Sequence, residues 1–178
     1  MKKIYLSIFL LTLMFFNCES PTEYAADFQE FFPLKVGNKW YYRTNSTDTS
    51  NFNETIEIIG QKKLNDNIYF ETVVNMIDRN FIDTFYYRFA GNALVTQSPP
   101  QNERILADFS LKLNQYAYWD SVGDLSVSEK TDSIITFSRP FHIEYGSSIT
   151  YKKGIGLIKS FTNGFIVHLR ILVRADIK

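Results

Sequence analysis

An all-β domain, an antiparallel meander curved into a sandwich or half-barrel with at most a short N-terminal helix, is the fold this sequence predicts. Three observations predict it. The 178 residues include 16 phenylalanines and 11 tyrosines, side chains that pack well on a pleated sheet. Apolar residues recur at alternate positions in several stretches, the period of a strand and not of a helix. Between those stretches stand Asn-Asp-Asn, Gly-Asn and Asn-Gly, short sequences suited to hairpin turns.

Taken in order, the chain opens with Lys2 and Lys3, an apolar run from Ile4 to Phe16, then Asn17 and the single cysteine, Cys18. As a helix that run would be about 20 Å long, short of the roughly 30 Å hydrocarbon core of a bilayer. Residues 1–17 therefore read as a removable secretory signal. Phe15-Phe16-Asn17-Cys18 resembles the lipobox of bacterial lipoproteins, in which cleavage precedes the cysteine and the new N-terminus is acylated. The resemblance implies lipid attachment at Cys18 and a cell-envelope location. The absence of Asp after the cysteine, where Glu19 stands, implies the outer membrane by the same resemblance. The chemistry is consistent, because an unpaired thiol is a liability in an oxidising compartment. One acyl chain binds a membrane marginally, and the three of a bacterial lipoprotein hold permanently.

Residues 18–30 then read as the lipidated cysteine and an acidic tether, whose last twelve residues can extend up to roughly 40 Å. Residues 31–178 read as one β domain, long enough to bury a core without disulfides or metals. Loss of the signal with Lys2 and Lys3 leaves 161 residues carrying 17 basic and 19 acidic side chains. That balance provides no basic field, so a nucleic-acid partner is not expected.

Within the domain, Asn65-Asp66-Asn67 separates Glu54 to Lys63 from Ile68 to Ile77, and Gly91-Asn92 separates Phe81 to Ala90 from Ala93 to Gln97. Asn163-Gly164 separates the apolar run Ile155 to Phe161 from a final strand in which Phe165, Val167, Leu169, Ile171 and Val173 form the expected dry face. Three hairpins make a meander. Both faces of residues 68–77 and 81–89 are partly apolar, which points to a sheet that is covered on both sides or curls around its own interior. Thr44 to Asn51 and Ser98 to Glu103 read as loops, and Ile105 to Leu113 fits neither strand nor helix clearly.

The segment Phe31-Phe32-Pro33-Leu34-Lys35-Val36-Gly37-Asn38-Lys39-Trp40-Tyr41-Tyr42 resembles the FPLxVGNxWxY opening of a family of uncharacterised bacterial lipoproteins. Those proteins carry a later GxGL(I/V)K strand, here Gly154 to Lys159 after Tyr151. The resemblance implies an all-β domain and no established activity. Physically, Pro33 and Gly37-Asn38 form a turn that sends Trp40 and Tyr42 to one side of the first strand and Tyr41 to the other.

Candidate binding aromatics are Trp40 and Tyr42, and a second group of Tyr116, Tyr118 and Trp119 beside Asp120. Each reads either as a structural plug, with Trp40 closing an end of the core, or as a platform for a sugar or peptide. Gly154 and Gly156 lack the third glycine of a phosphate loop, since Lys159 stands there, and read as a strand bend or bulge. His142 and His168 lack zinc spacing, and the Asp48, Asp66 and Asp120 neighbourhoods lack the spacing of a calcium loop. No nucleophile motif is present. The expectation is a non-enzymatic module without cofactor or metal, held to the membrane by its lipid, that contacts an envelope protein or glycan. The alternative is a carrier of an apolar ligand, lipid or lipoprotein, in a half-barrel cavity.

Overall fold

The computed structural model describes residues 28–45, 51–97, 103–117, 125–140, 146–163 and 167–178. They form one antiparallel sheet of twelve strands. The strands are β1 (Lys39–Thr44), β2 (Glu54–Leu64), β3 (Asn67–Met76), β4 (Phe81–Ala90), β5 (Ala93–Gln97) and β6 (Arg104–Asp108), followed by β7 (Tyr116–Ala117), β8 (Leu125–Lys130), β9 (Ile134–Pro140), β10 (Gly146–Lys152), β11 (Gly156–Asn163) and β12 (His168–Asp176). Each strand pairs with its sequence neighbour except across β6 and β7, and β12 pairs with β1. The sheet thus curls into a nearly closed barrel with its seam between β6 and β7.

The expected hairpins are present, with local chemistry that explains them. Asn65 and Asp66 both take positive φ, 46° and 66°, as a type I′ turn requires, and asparagine and aspartate tolerate that region best after glycine. Gly91 takes φ 60° at the first central position, where a type II′ turn favours glycine. The Asn163-Gly164 turn lies only partly within the described residues, but β11 and β12 pair as expected, Phe161 opposite Leu169. Helix among the described residues is confined to residues 28–29 and a 3-10 turn at Ile77–Arg79.

One expectation needs correction. The dry face of the last strand is not Leu169, Ile171 and Val173. The side facing the interior carries His168, Arg170 and Leu172, and then Ala175. A bulge then carries the inward face from Leu172 to Ala175. Tyr42 pairs with Leu172 and Tyr41 with Arg174, so Val173 has no opposite number and is exposed. One extra residue switches every later side chain to the other face.

The core lies inside the barrel and is packed mainly towards one end. Phe32 stacks on Trp40 at 5.3 Å and meets Tyr151 edge-on at 6.0 Å. Phe31 stacks on Phe109 at 5.4 Å. The segment before β1 therefore acts as a plug. Phe109 opens the stretch between β6 and β7, where the sequence was ambiguous, and its buried ring also touches Phe137 and Tyr151. The Lys130 ammonium donates to the carbonyls of Phe109 and Leu111. Apolar and polar contacts together thus hold the two halves across the seam.

Asn38 fastens the plugged end. It is fully buried, its Nδ2 donates to the Pro33 carbonyl, and its Oδ1 accepts the Lys178 amide. Gly156 allows the plug to fit. Its φ is +103°, and an added Cβ would lie 3.1 Å from Trp40 Nε1 and 3.4 Å from Phe32. Gly154 also has positive φ, +75°, but nothing lies within 4 Å of its would-be Cβ. Gly156→Ala is expected to destabilise by about 1–3 kcal/mol from backbone strain, with crowding added, and Gly154→Ala by less. Urea midpoints of the two variants check this. Equal shifts would show that the contact with Trp40 is irrelevant.

Candidate functional site

The end opposite the plug is not filled by the described residues. Inward-facing residues form ladders that descend from it. At the rim, Arg139 of β9, Ser147 of β10, Thr162 of β11 and His168 of β12 lie in register. One step deeper are Phe137, Ile149, Ser160 and Arg170, and below them Ile135, Tyr151 and Leu157. Polar side chains therefore give way to apolar ones along the barrel axis. On the far wall Arg104 of β6 pairs with Thr96 of β5, itself opposite Tyr87 of β4.

A cavity of about 340 Å³ lies between these walls. Its floor includes Phe32, Tyr87, Tyr151 and Leu157, its waist Leu106 and Ile149, and its rim Arg104, Arg139 and His168, with Arg170 beneath. That volume falls at the small end of ligand pockets, which run from about 300 to 1,000 Å³. A second hollow of about 410 Å³, more polar in its chemistry, adjoins the rim at His168 and Glu54 and reaches Asn53, Asp78 and Arg79.

The charges within the site are ordered. Glu54 is buried, with its side chain 1% exposed, and accepts from Arg170 Nε at 2.9 Å and also from Arg170 Nη2 and Thr44 Oγ1. Arg170 lies 5.5 Å from the centre of the Tyr42 ring. This bidentate pair neutralises one guanidinium. Burial raises the Tyr42, Tyr87 and Tyr151 hydroxyls above the ordinary phenol range, so all three stay neutral. Burial, and then the neighbouring Arg170, lowers His168, which leaves it neutral near pH 7. The cations of the cavity are consequently its arginines. The fields of Arg139 and Arg170 reach Tyr151, and those of Arg170 and Arg104 reach Tyr87.

Each residue singled out from the sequence can now be placed. Trp40 and Tyr42 are inside, both 0% exposed. The Trp40 indole N–H donates to the Ile155 carbonyl and the Tyr42 hydroxyl to the Leu157 carbonyl at 2.8 Å. They tie β1 across the interior to the start of β11, and of the two readings offered for them the plug fits. Tyr116, in the short β7, is 63% exposed and is not brought to the cavity. Tyr118, Trp119, His142, Asp48, Asp120 and Cys18 lie outside the described residues. No cluster of metal-ligating groups is found among the described residues.

The cavity arginines were missed by sequence reasoning. They come from β6, β9 and β12, and no local spacing joins them.

No protein-family model matches the chain, and no curated protein matches it. Among solved structures it is similar to a protein of Parabacteroides distasonis described as a "putative lipoprotein". The identity is 12%, the match covers 82% of this chain and 98% of that one, and the TM-score is 0.49.

Proposed function

We propose that this chain is a lipid-anchored cell-envelope protein of the outer membrane whose barrel holds a small ligand with an apolar body and does not transform it. The observation that carries the reading is the cavity of about 340 Å³, apolar at its floor and, among the described residues, unfilled at one end. Cores ordinarily close-pack, and this one does so only at the plugged end. The carboxylate nearest the cavity, Glu54, is held by Arg170 and Thr44, which favours binding over acid–base chemistry. The signal, Cys18 and the FPLxVGNxWxY opening support the envelope assignment.

The experiment is native mass spectrometry of residues 19–178, secreted to the periplasm and purified without detergent, followed by organic extraction of the same sample. The sheet, its plug and its core all lie within residues 28–178, so this portion carries the fold. A reproducible extra mass that extracts into organic solvent is the expected result, and a clean apo mass would count against a ligand carrier. Separately, Cys18→Ala in the full chain is expected to abolish incorporation of labelled fatty acid and to move the protein to the soluble fraction. Unchanged labelling would refute attachment at that residue.

A second reading is an interaction module for an envelope protein or glycan. It is favoured by the exposed side chains of Ile77, Phe81 and Ile82, neighbours at the tip of the β3–β4 hairpin on the open end. Exposed large apolar side chains at a hairpin tip are available for such a contact.

A further inference from the structure

We propose that the ligand is a small amphiphile with a single anionic head, of the fatty-carboxylate class, seated head-up with its carboxylate at Arg104 and its apolar body against Leu106, Ile149 and Tyr87. This rests on the reading of the barrel as a ligand carrier and goes beyond it by assigning the charge and orientation of the ligand.

Three observations carry the inference. The polarity of the cavity is graded along the barrel axis, with Arg139, Ser147, Thr162 and His168 in the rim layer and Ile149 then Tyr151 beneath Ser147 on the same strand. A ligand polar at both ends, or at neither, would not fit that gradient. The charge of the lining is of one sign among the described residues, with three arginines and no carboxylate. Finally, the arginines are not equivalent. Arg170 is neutralised by Glu54, and Arg139 has interactions of its own. Arg104 makes no hydrogen bond or ion pair to another described side chain. Its sequence neighbour Glu103 is committed on the outer wall, where it accepts from Arg88 Nε at 2.7 Å, Arg88 Nη2 at 2.8 Å and the Tyr69 hydroxyl.

A guanidinium without a counter-charge among the described residues, at the mouth of an apolar pocket, favours a planar carboxylate that it can grip through two N–H groups. The size of the cavity limits the body to one chain or a small ring system.

The test is calorimetric titration of residues 19–178, stripped of bound lipid, with octanoate and dodecanoate below their micellar concentrations and with 1-octanol and 1-dodecanol as neutral counterparts. At least one carboxylate is expected to bind ten-fold or more tightly than its alcohol. Arg104→Gln is expected to remove that preference with little change in alcohol binding, and Arg104→Lys to restore part of it. Arg104 is exposed at the rim, so neither variant endangers folding. Equal binding of acid and alcohol, or an Arg104→Gln protein that keeps the preference, would overturn the anionic assignment and leave the carrier reading standing. Binding of none of the four, with a clean apo mass for the same protein, would overturn both.

Discussion

Glu54→Ala is expected to reduce folding stability by about 3–5 kcal/mol, because it leaves the Arg170 guanidinium partly buried without its counter-charge. The Glu54 carboxylate is enclosed by Arg170 and Thr44 beneath the rim, and Arg170 rests on the Tyr42 ring. A surface pair would contribute little, but here the side-chain exposures are 1% for Glu54 and 19% for Arg170. The loss comes mainly from the orphaned charge and not from the absent attraction, so a second change should restore much of it. Arg170→Met in the Glu54→Ala background is expected to recover most of the stability, as buried pairs replaced by apolar residues often do. Urea unfolding of the two singles and the double measures this. A Glu54→Ala loss below about 1 kcal/mol would show that water screens the pair.

Trp40→Ala is expected to cost a similar amount, about 3–5 kcal/mol, the usual range for removing a large buried aromatic. Trp40 stacks on Phe32 and donates to the Ile155 carbonyl, so its loss would unseat the plug and leave a buried acceptor unpaired. For a domain of this size, each kcal/mol moves the melting temperature by about 2–4 °C, which predicts a fall of roughly 6–20 °C by calorimetry. Trp40→Phe keeps most of the packing and removes only the N–H, so it should cost about 1–3 kcal/mol. If the two variants melted together, the hydrogen bond and not the ring would be what holds the plug.

The parts of this molecule legible in its sequence are those fixed by neighbours along the chain. Asn65-Asp66 and Gly91-Asn92 mark hairpins because few residues accept positive φ, and the alternation beside them places the strands. Parity alone puts Trp40 and Tyr42 on one side of β1, and they do share the interior. The same parity failed at the end of the chain. Which face of β12 turns inward is set by its pairing with β1, more than 130 positions earlier in the sequence, as is the bulge at Val173, and nothing near Val173 signals either. His168 and Arg170 then looked like a solvent face because charge usually means water. Here they face a cavity, and Glu54, far away in sequence, makes that tolerable for Arg170. Arg104 carries even less signal, since an arginine on a short strand is ordinary until curvature sets it opposite β9 and β12.

The plug has a mechanical consequence. Phe31 and Phe32 are both the stopper of the barrel and the place where the chain arrives at it, so tension on the N-terminal side is delivered to the stopper before it reaches any strand. The first bonds under load are the Glu30 contacts to Gly154 and Lys153, then the stack of Phe32 on Trp40 and the Asn38 contacts to Pro33 and Lys178. The mouth lies at the opposite pole of the barrel. Tugging on the base therefore loosens the floor before it strains the lip.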